Sequence, residues 1–284
     1  MKALLVAIGI VGTLGSVAAQ QDTAPAAFEV ASVKANRSGD SNGLMRQGPG
    51  GRVDATNMPL RPMITLAYGI AGYQLVGGPG WIDDARYDIV AKLEDGGTGA
   101  TPFVPGATTT NPTQRALQKL LEDRFELKAH RETREMDIYA LVMAKPGGAP
   151  GPNLKPSTQD CAAAADAAKR GVVPSPGPNA PVCGIQGQPG RLRFGGLPAS
   201  AFPQALSGRA GRMVVDRTGL TGSWEFELTY APDTGGAGNP DQPIDPNAPS
   251  FFTAVQEQLG LKLESAKGPV EVLVIDSIER PAED

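Results

Sequence analysis

The feature that most constrains this chain is an internal repetition held at a constant offset. Gly77–Leu93 (GGPGWIDDARYDIVAKL) returns in degraded form as Asp216–Tyr230 (DRTGLTGSWEFELTY), and the match extends beyond both stretches. Gly51-Arg52, Pro59, Gly69, Gly72, Leu75-Val76 and Gly80 recur 139 positions later as Gly190-Arg191, Pro198, Gly208, Gly211, Val214-Val215 and Gly219. Tyr87-Asp88-Ile89 then meets Trp224-Glu225-Phe226. From Leu117 to Val142 the offset settles at 134, so that Leu121, Phe125, Leu127, Lys128, Asp137 and Ile138 meet Val255, Leu259, Leu261, Lys262, Glu271 and Val272. Chance similarity drifts in register, whereas two copies of one supersecondary unit hold it.

Each copy reads the same way. A short strand (Arg52 to Thr56; Arg191 to Phe194) leads into a helix opened by proline, whose missing N–H costs nothing in the first turn. Leu60, Met63, Ile64 and Ala67 recur at helical spacing in the first copy, and Leu197, Ala201, Ala205 and Leu206 in the second. Glycines stop each helix. A brief strand (Tyr73 to Val76; Met213 to Val215) and an alternating one (Arg86 to Leu93; Ser223 to Tyr230) follow. A second helix buries Leu117, Leu120 and Leu121, or Phe251, Ala254, Val255 and Leu259, and two strands close the unit. The expected fold is α+β: two tandem β-α-β-β-α-β-β units, each a compact sandwich with helices packed on mixed sheets. The units span 28–144 and 190–284, with a Pro/Gly-rich insertion at 145–189 between them. Strands Phe28 to Lys34 and Val270 to Arg280 are expected in one sheet, tying the ends together.

Met1 to Ala19 reads as a secretory signal peptide: Lys2, an apolar run from Ala3 to Leu14, and Val17-Ala18-Ala19 as a small-residue cleavage site. The run is short of the roughly 20 apolar residues of a transmembrane helix. A secreted or periplasmic location without membrane insertion is therefore expected. In such an oxidising compartment Cys161 and Cys183, the only cysteines, are expected to form a disulfide worth about 3 kcal/mol by the chain-entropy model. A formal net charge of −4 argues against nucleic acid as a partner, because phosphates call for a basic face.

Several chemistries are excluded by residue type. His130 is the only histidine, and no G-x-S-x-G, Walker loop or dinucleotide fingerprint is present. His130 lies in a strand-like KAHRETREM segment whose repeat equivalent is Glu264, which suits an exposed position. The loop Asp233 to Asn247 (DTGGAGNPDQPIDPN) offers Asp233, Asp241 and Asp245 as hard oxygen ligands of the kind calcium takes, without the twelve-residue calcium-loop spacing. The central motif has two readings. Trp81, Asp83, Asp84, Arg86 and Tyr87 could line a pocket with aromatic faces and a carboxylate pair, with Trp81, Asp84 and Arg86 as the candidate ligand contacts. In the other reading Trp81 and Tyr87 pack under the turn, Arg86 pairs with an acid, and Asp83-Asp84 are turn residues.

The run FEVASVK, GGRVDATNMPLRPMITLAYGI, GGPGWIDDARYDIVAKL, LLEDRFELKAHRETREMDIYALVMAK, VVDRTGLTGSWEFEL and FTAVQEQLGLKLESAKGPVEVLVIDSIERP resembles a large family of secreted proteins expanded in soil Acidobacteria. That family is classed as a domain of unknown function, with related domains behind BlaR-type membrane metallopeptidases. The resemblance implies an envelope or extracellular setting rather than a reaction. A weaker likeness to the short N-terminal domains of secretins and TonB receptors implies an interaction module at the level of fold. Two functions follow as expectations: an exported binding or interaction module for an envelope protein or a small molecule, or a secreted hydrolase of lactones or esters such as acyl-homoserine lactones. The hydrolase would use a calcium-bound water and carboxylates of the acidic loop.

Overall fold

The structure, a computed structural model, describes residues 27–40, 42–48, 51–93, 111–159, 161, 182–231 and 248–281. The chain is mixed α+β, with three four-stranded sheets among the described residues. The expected leader and the acidic loop lie outside the described residues.

The first sheet runs β1 (Phe28–Ala35), β5 (Arg86–Leu93), β3 (Arg52–Pro59), β2 (Leu44–Gly48), all antiparallel. In β5 the pleat turns Tyr87, Ile89, Ala91 and Leu93 inward and leaves Val90 and Lys92 exposed. Two helices cover the inner face. The first, α1 (Leu60–Tyr68), buries Leu60, Met63, Ile64 and Ala67 and stops at Gly69 in the left-handed conformation (φ 64°). The second, α3 (Pro112–Phe125), buries Leu117, Leu120, Leu121 and Phe125. A single turn, α2 (Trp81–Asp84), follows the short strand β4 (Leu75–Gly77).

The third sheet has the corresponding order: β7 (Leu154–Pro156), β11 (Ser223–Thr229), β9 (Arg191–Pro198), β8 (Gly184–Gln188). Its helices are α4 (Phe202–Ala210) and α5 (Phe251–Leu259). Phe194 stacks on Phe226 at 5.0 Å between ring centres and meets Phe202 at 5.1 Å, so an aromatic trio fills this core. The helix α4 ends at Gly211 rather than at Gly208, the repeat equivalent of Gly69, because a 3-10 turn at Ala199–Ala201 precedes it and the helix runs one turn further.

The middle sheet joins the halves in the order β10 (Val214–Asp216), β6 (Lys128–Met143), β12 (Leu261–Ser277), β4. Here β6 and β12 form one long antiparallel ladder, while each short strand pairs in parallel with the long strand of the other half: β4 with β12, and β10 with β6. The ladder obeys the repeat offset. Ile138 faces Ala266, and Glu132 faces Val272; adding 134 to 138 and 132 gives 272 and 266, the same two pairs exchanged. Along their lengths the long strands enter both cores. Leu141 and Leu261 are buried with the third sheet, and Leu273 and Ile275 with the first.

Four expectations are corrected. The closing pair of strands in each unit is one continuous strand, β6 or β12. The two sandwiches are not closed within one copy each, because the middle sheet takes strands from both. The first and last strands do not share a sheet: β1 pairs with β5, through Val33↔Ile89 among others, while β12 is already flanked by β6 and β4. The Pro/Gly-rich segment is more than a connection, since it supplies β7 and β8, the edge strands of the third sheet.

Buried Gln114, 3% exposed, links the two helices of the first half. Its backbone N–H donates to Asn111 Oδ1 at 2.8 Å, its Oε1 accepts from Asn111 N at 3.0 Å, and its Nε2 donates to the Leu66 carbonyl at the end of α1 at 3.0 Å. Gln114→Leu strands the Asn111 N–H and removes one donor from Leu66. A loss of about 1–2 kcal/mol is expected, read as a lower urea midpoint with an unchanged m-value.

Candidate ligand-binding site

The site grows from a β-bulge. The β3/β5 register shifts between Ala55 and Met58, and Asn57 sits in the bulge with φ 54°, a left-handed conformation that asparagine tolerates better than most residues. The bulge takes the Asn57 N–H out of the ladder, and it donates instead to Asp88 Oδ1 at 2.8 Å. The same carboxylate accepts from Asn36 Nδ2 at 2.8 and 3.0 Å. Asn57 Nδ2 donates to the carbonyls of Asp40 (2.8 Å) and Asn42 (2.9 Å), mooring the loop that follows β1. Arg86 Nη1 donates to the Asn57 carbonyl at 3.1 Å.

Beside this hub lies a cavity of about 560 Å³. Its wall is built by the end of β1, the loop carrying Asn36, Arg37 and Asp40, the bulge at Asn57, the α2–β5 junction from Asp84 to Tyr87, and the tail residues Arg280 and Pro281. Three arginines (Arg37, Arg86, Arg280) and two aspartates (Asp40, Asp84) are among the lining residues. Arg280 lies over the Trp81 ring, 4.9 Å from its centre, a contact that orients the cation without neutralising it. Tyr87 forms the floor, 3% exposed and edge-on to Phe125 at 5.0 Å. Burial raises its pKa, with Arg280 acting in the opposite direction, so it stays a neutral phenol at physiological pH. The Asn57 Oδ1 is buried, and among the described residues no donor reaches it.

Elements of both readings of the central motif are therefore present. Asp84 and Arg86 stand in the wall and Trp81 directly behind Arg280; Tyr87 packs in the core, and Arg86 meets a carbonyl oxygen rather than an acid. Asp83 turns away to Arg61. Asn36, Arg37, Asp40, Asn57 and Arg280 escape a reading of the sequence alone. One signal was available for Asn57, whose repeat equivalent is Gly196: asparagine opposite glycine marks a positive-φ position. Asp233, Asp241 and Asp245 lie outside the described residues. Among the described residues no three His, Cys, Asp or Glu side chains converge as a metal-ligand group. His130 is 51% exposed; its Nδ1 lies 2.9 Å from Asp276 Oδ1, and that carboxylate raises the imidazole pKa above its usual value.

The second half fills the equivalent position. Gly196 (φ 65°) corresponds to Asn57, and a Cβ built on it would lie 2.0 Å from Cys161 Sγ. The Cys161–Cys183 disulfide, with Cα atoms 5.4 Å apart, thus occupies the space that the Asn57 side chain takes in the first half. The surrounding polar pairs correspond as well: Ser157 N donates to the Ser223 carbonyl as Asn36 N does to that of Arg86, and Ser157 Oγ meets Glu225 as Asn36 meets Asp88. A second cavity, of about 570 Å³, crosses the third sheet, but Glu227 in its wall is already bound by Arg191 (2.8 Å) and approached by Arg193 (3.6 Å).

Fold and site together define an interlocked two-half α+β module with a polar pocket beside Asn57. Residues 61–278 match the model of the family described as Protein of unknown function (DUF3738), and the chain belongs to that family. The match spans both halves. No curated protein and no solved structure is significantly similar to the chain. Among the described residues no helix is long and apolar enough to cross a membrane.

The fit of glycine under the disulfide is testable. Gly196→Ala adds both the strain of a left-handed alanine, about 1 kcal/mol, and a clash with sulfur. A lower denaturation midpoint and faster reduction by dithiothreitol are expected. Asn57→Gly, which keeps the backbone conformation available, should leave the reduction rate unchanged.

Proposed function

We propose that the chain is an exported binding module that takes a small anionic molecule into the cavity beside Asn57. The observation that carries this reading is the lining itself: three arginines to two aspartates, with Arg280 lying over an indole face. Guanidinium forks match carboxylate and phosphate geometry. Export is supported by the leader-like N-terminus and by the disulfide, a bond that persists in oxidising compartments. The alternative, a calcium-dependent lactone or ester hydrolase, depends on Asp233, Asp241 and Asp245, and no described contact favours it.

The test is calorimetric titration of the folded protein with phosphate, acetate and small organic acids. Saturable binding of one anion per chain, weakening as salt is raised, is the expected result. Arg280→Gln, at an exposed position outside the core, should weaken it about tenfold or more while the circular dichroism spectrum is kept. Absence of saturable binding to the wild type, or equal affinity in the variant, would overturn the proposal.

A further inference from the structure

We infer that the chain pairs with a second copy of itself, edge to edge, through residues 131–135 (RETRE) of β6. The inference is independent of the pocket and starts from the backbone. On the side of β6 away from β12, the strand β10 pairs only with residues 139–141. Over residues 128–137 no strand lies on that side among the described residues, and no backbone–backbone hydrogen bond leaves the stretch except to β12. In an antiparallel ladder every second residue turns its N–H and C=O away from its partner. This edge therefore presents a row of donors and acceptors to which another extended chain can add. The corresponding edge of β12 is blunted. There the repeat equivalent of Thr133-Arg134-Glu135 is Lys267-Gly268-Pro269, and proline brings no N–H to a ladder while glycine weakens one.

Charge identifies the occupant of the β6 edge. Like charges would keep two such edges apart, but the signs in RETRE are self-complementary. Antiparallel pairing about Thr133 sets Arg131 opposite the partner's Glu135 and Glu132 opposite the partner's Arg134, and the two-fold axis repeats both pairs. The register is unique. Sliding by one residue in either direction brings Arg131 against the partner's Arg134 or Glu132 against the partner's Glu135, and parallel pairing in register sets every charge against its own kind. The side chains are available for this. Arg131, Thr133, Arg134 and Glu135 are exposed, and Glu135 has no ion pair among the described residues. Arg131 donates to Glu271 Oε1 at 2.6 Å, and Arg134 meets Glu132 along the same strand. The two-fold pair closes on itself and makes the middle sheet continuous through both copies.

The experiment is sedimentation equilibrium on the full chain. The wild type should show a monomer–dimer equilibrium that moves towards monomer as salt is raised. Arg134→Glu and Glu132→Arg each set like charges opposite one another across the two-fold axis. Either variant alone should dimerise at least about tenfold more weakly, with the circular dichroism spectrum kept. Mixed in equal amounts, the two variants should associate again, because each meets opposite charges on the other. Neither retains the Arg134 to Glu132 contact within its own chain, so recovery in the mixture reports pairing between copies and not restored folding. A wild type that stays monomeric from micromolar to about millimolar concentration would overturn the inference. So would a dimer that both variants leave unchanged, or a mixture no more associated than its components. None of these outcomes bears on anion binding.

Discussion

The ladder between β6 and β12 is the interaction on which the rest of the structure depends. It runs from Lys128 to Met143 against Leu261 to Ser277, and each long strand contributes to a core that its own half cannot complete. Leu273 and Ile275, from the second half, are buried among α1, α3 and the first sheet; Leu141, from the first half, is buried among α4, α5 and the third. A fully buried Leu or Ile is worth roughly 1.5–3 kcal/mol, against a net stability of about 5–15 kcal/mol for a domain. Removing one partner strand therefore takes a large share of the stability of the other half. The parallel pairings of β4 with β12 and β10 with β6 add a backbone bond network across the same boundary.

The pocket is a product of that interlock. As β12 ends, Ile278 enters the first core and the Glu279 N–H donates to the Phe125 carbonyl at 2.7 Å. This delivers Arg280 to a wall otherwise made by first-half elements. The residue 134 positions before Arg280 is Pro146, which carries no charge, so the arrangement has no mirror in the other half. The connection after β1 differs in the same sense. In the first half it is a short loop moored by Asn57. In the second it carries the cysteines, and their bridge fills the site that Asn57 marks.

Much of the local order was legible, because the repeat offset placed strands opposite strands. Both copies of the strand that opens the unit have the same length, Arg52–Pro59 and Arg191–Pro198, and both short strands fall 139 apart, at Leu75–Gly77 and Val214–Asp216. Pairing across the halves was not legible, since periodicity reports which face is buried and not which strand lies alongside. The continuity of β6 was hidden by Arg131–Glu135 (RETRE), a largely exposed stretch whose polar run breaks the alternation that marks a half-buried strand. β7 has three residues and β8 is GIQGQ, too short or too polar to register. For the site, Asp84 and Arg86 stood out by type and spacing, whereas Asn36, Asp40 and Arg280 matter only through tertiary placement. The Asn111-Pro-Thr-Gln114 capping box was a readable helix start that a search for apolar spacing passes over.

The most direct test of the interlocked architecture is to divide the chain between Lys145 and Pro146 and to study 27–145 and 146–281 separately and mixed. Neither fragment should unfold cooperatively or give a dispersed amide spectrum alone. An equimolar mixture should form a one-to-one complex with the intact protein's spectrum and a single unfolding transition. A cooperative transition and a dispersed spectrum from either fragment by itself would contradict the account, because that half would then complete its core without the other's strand.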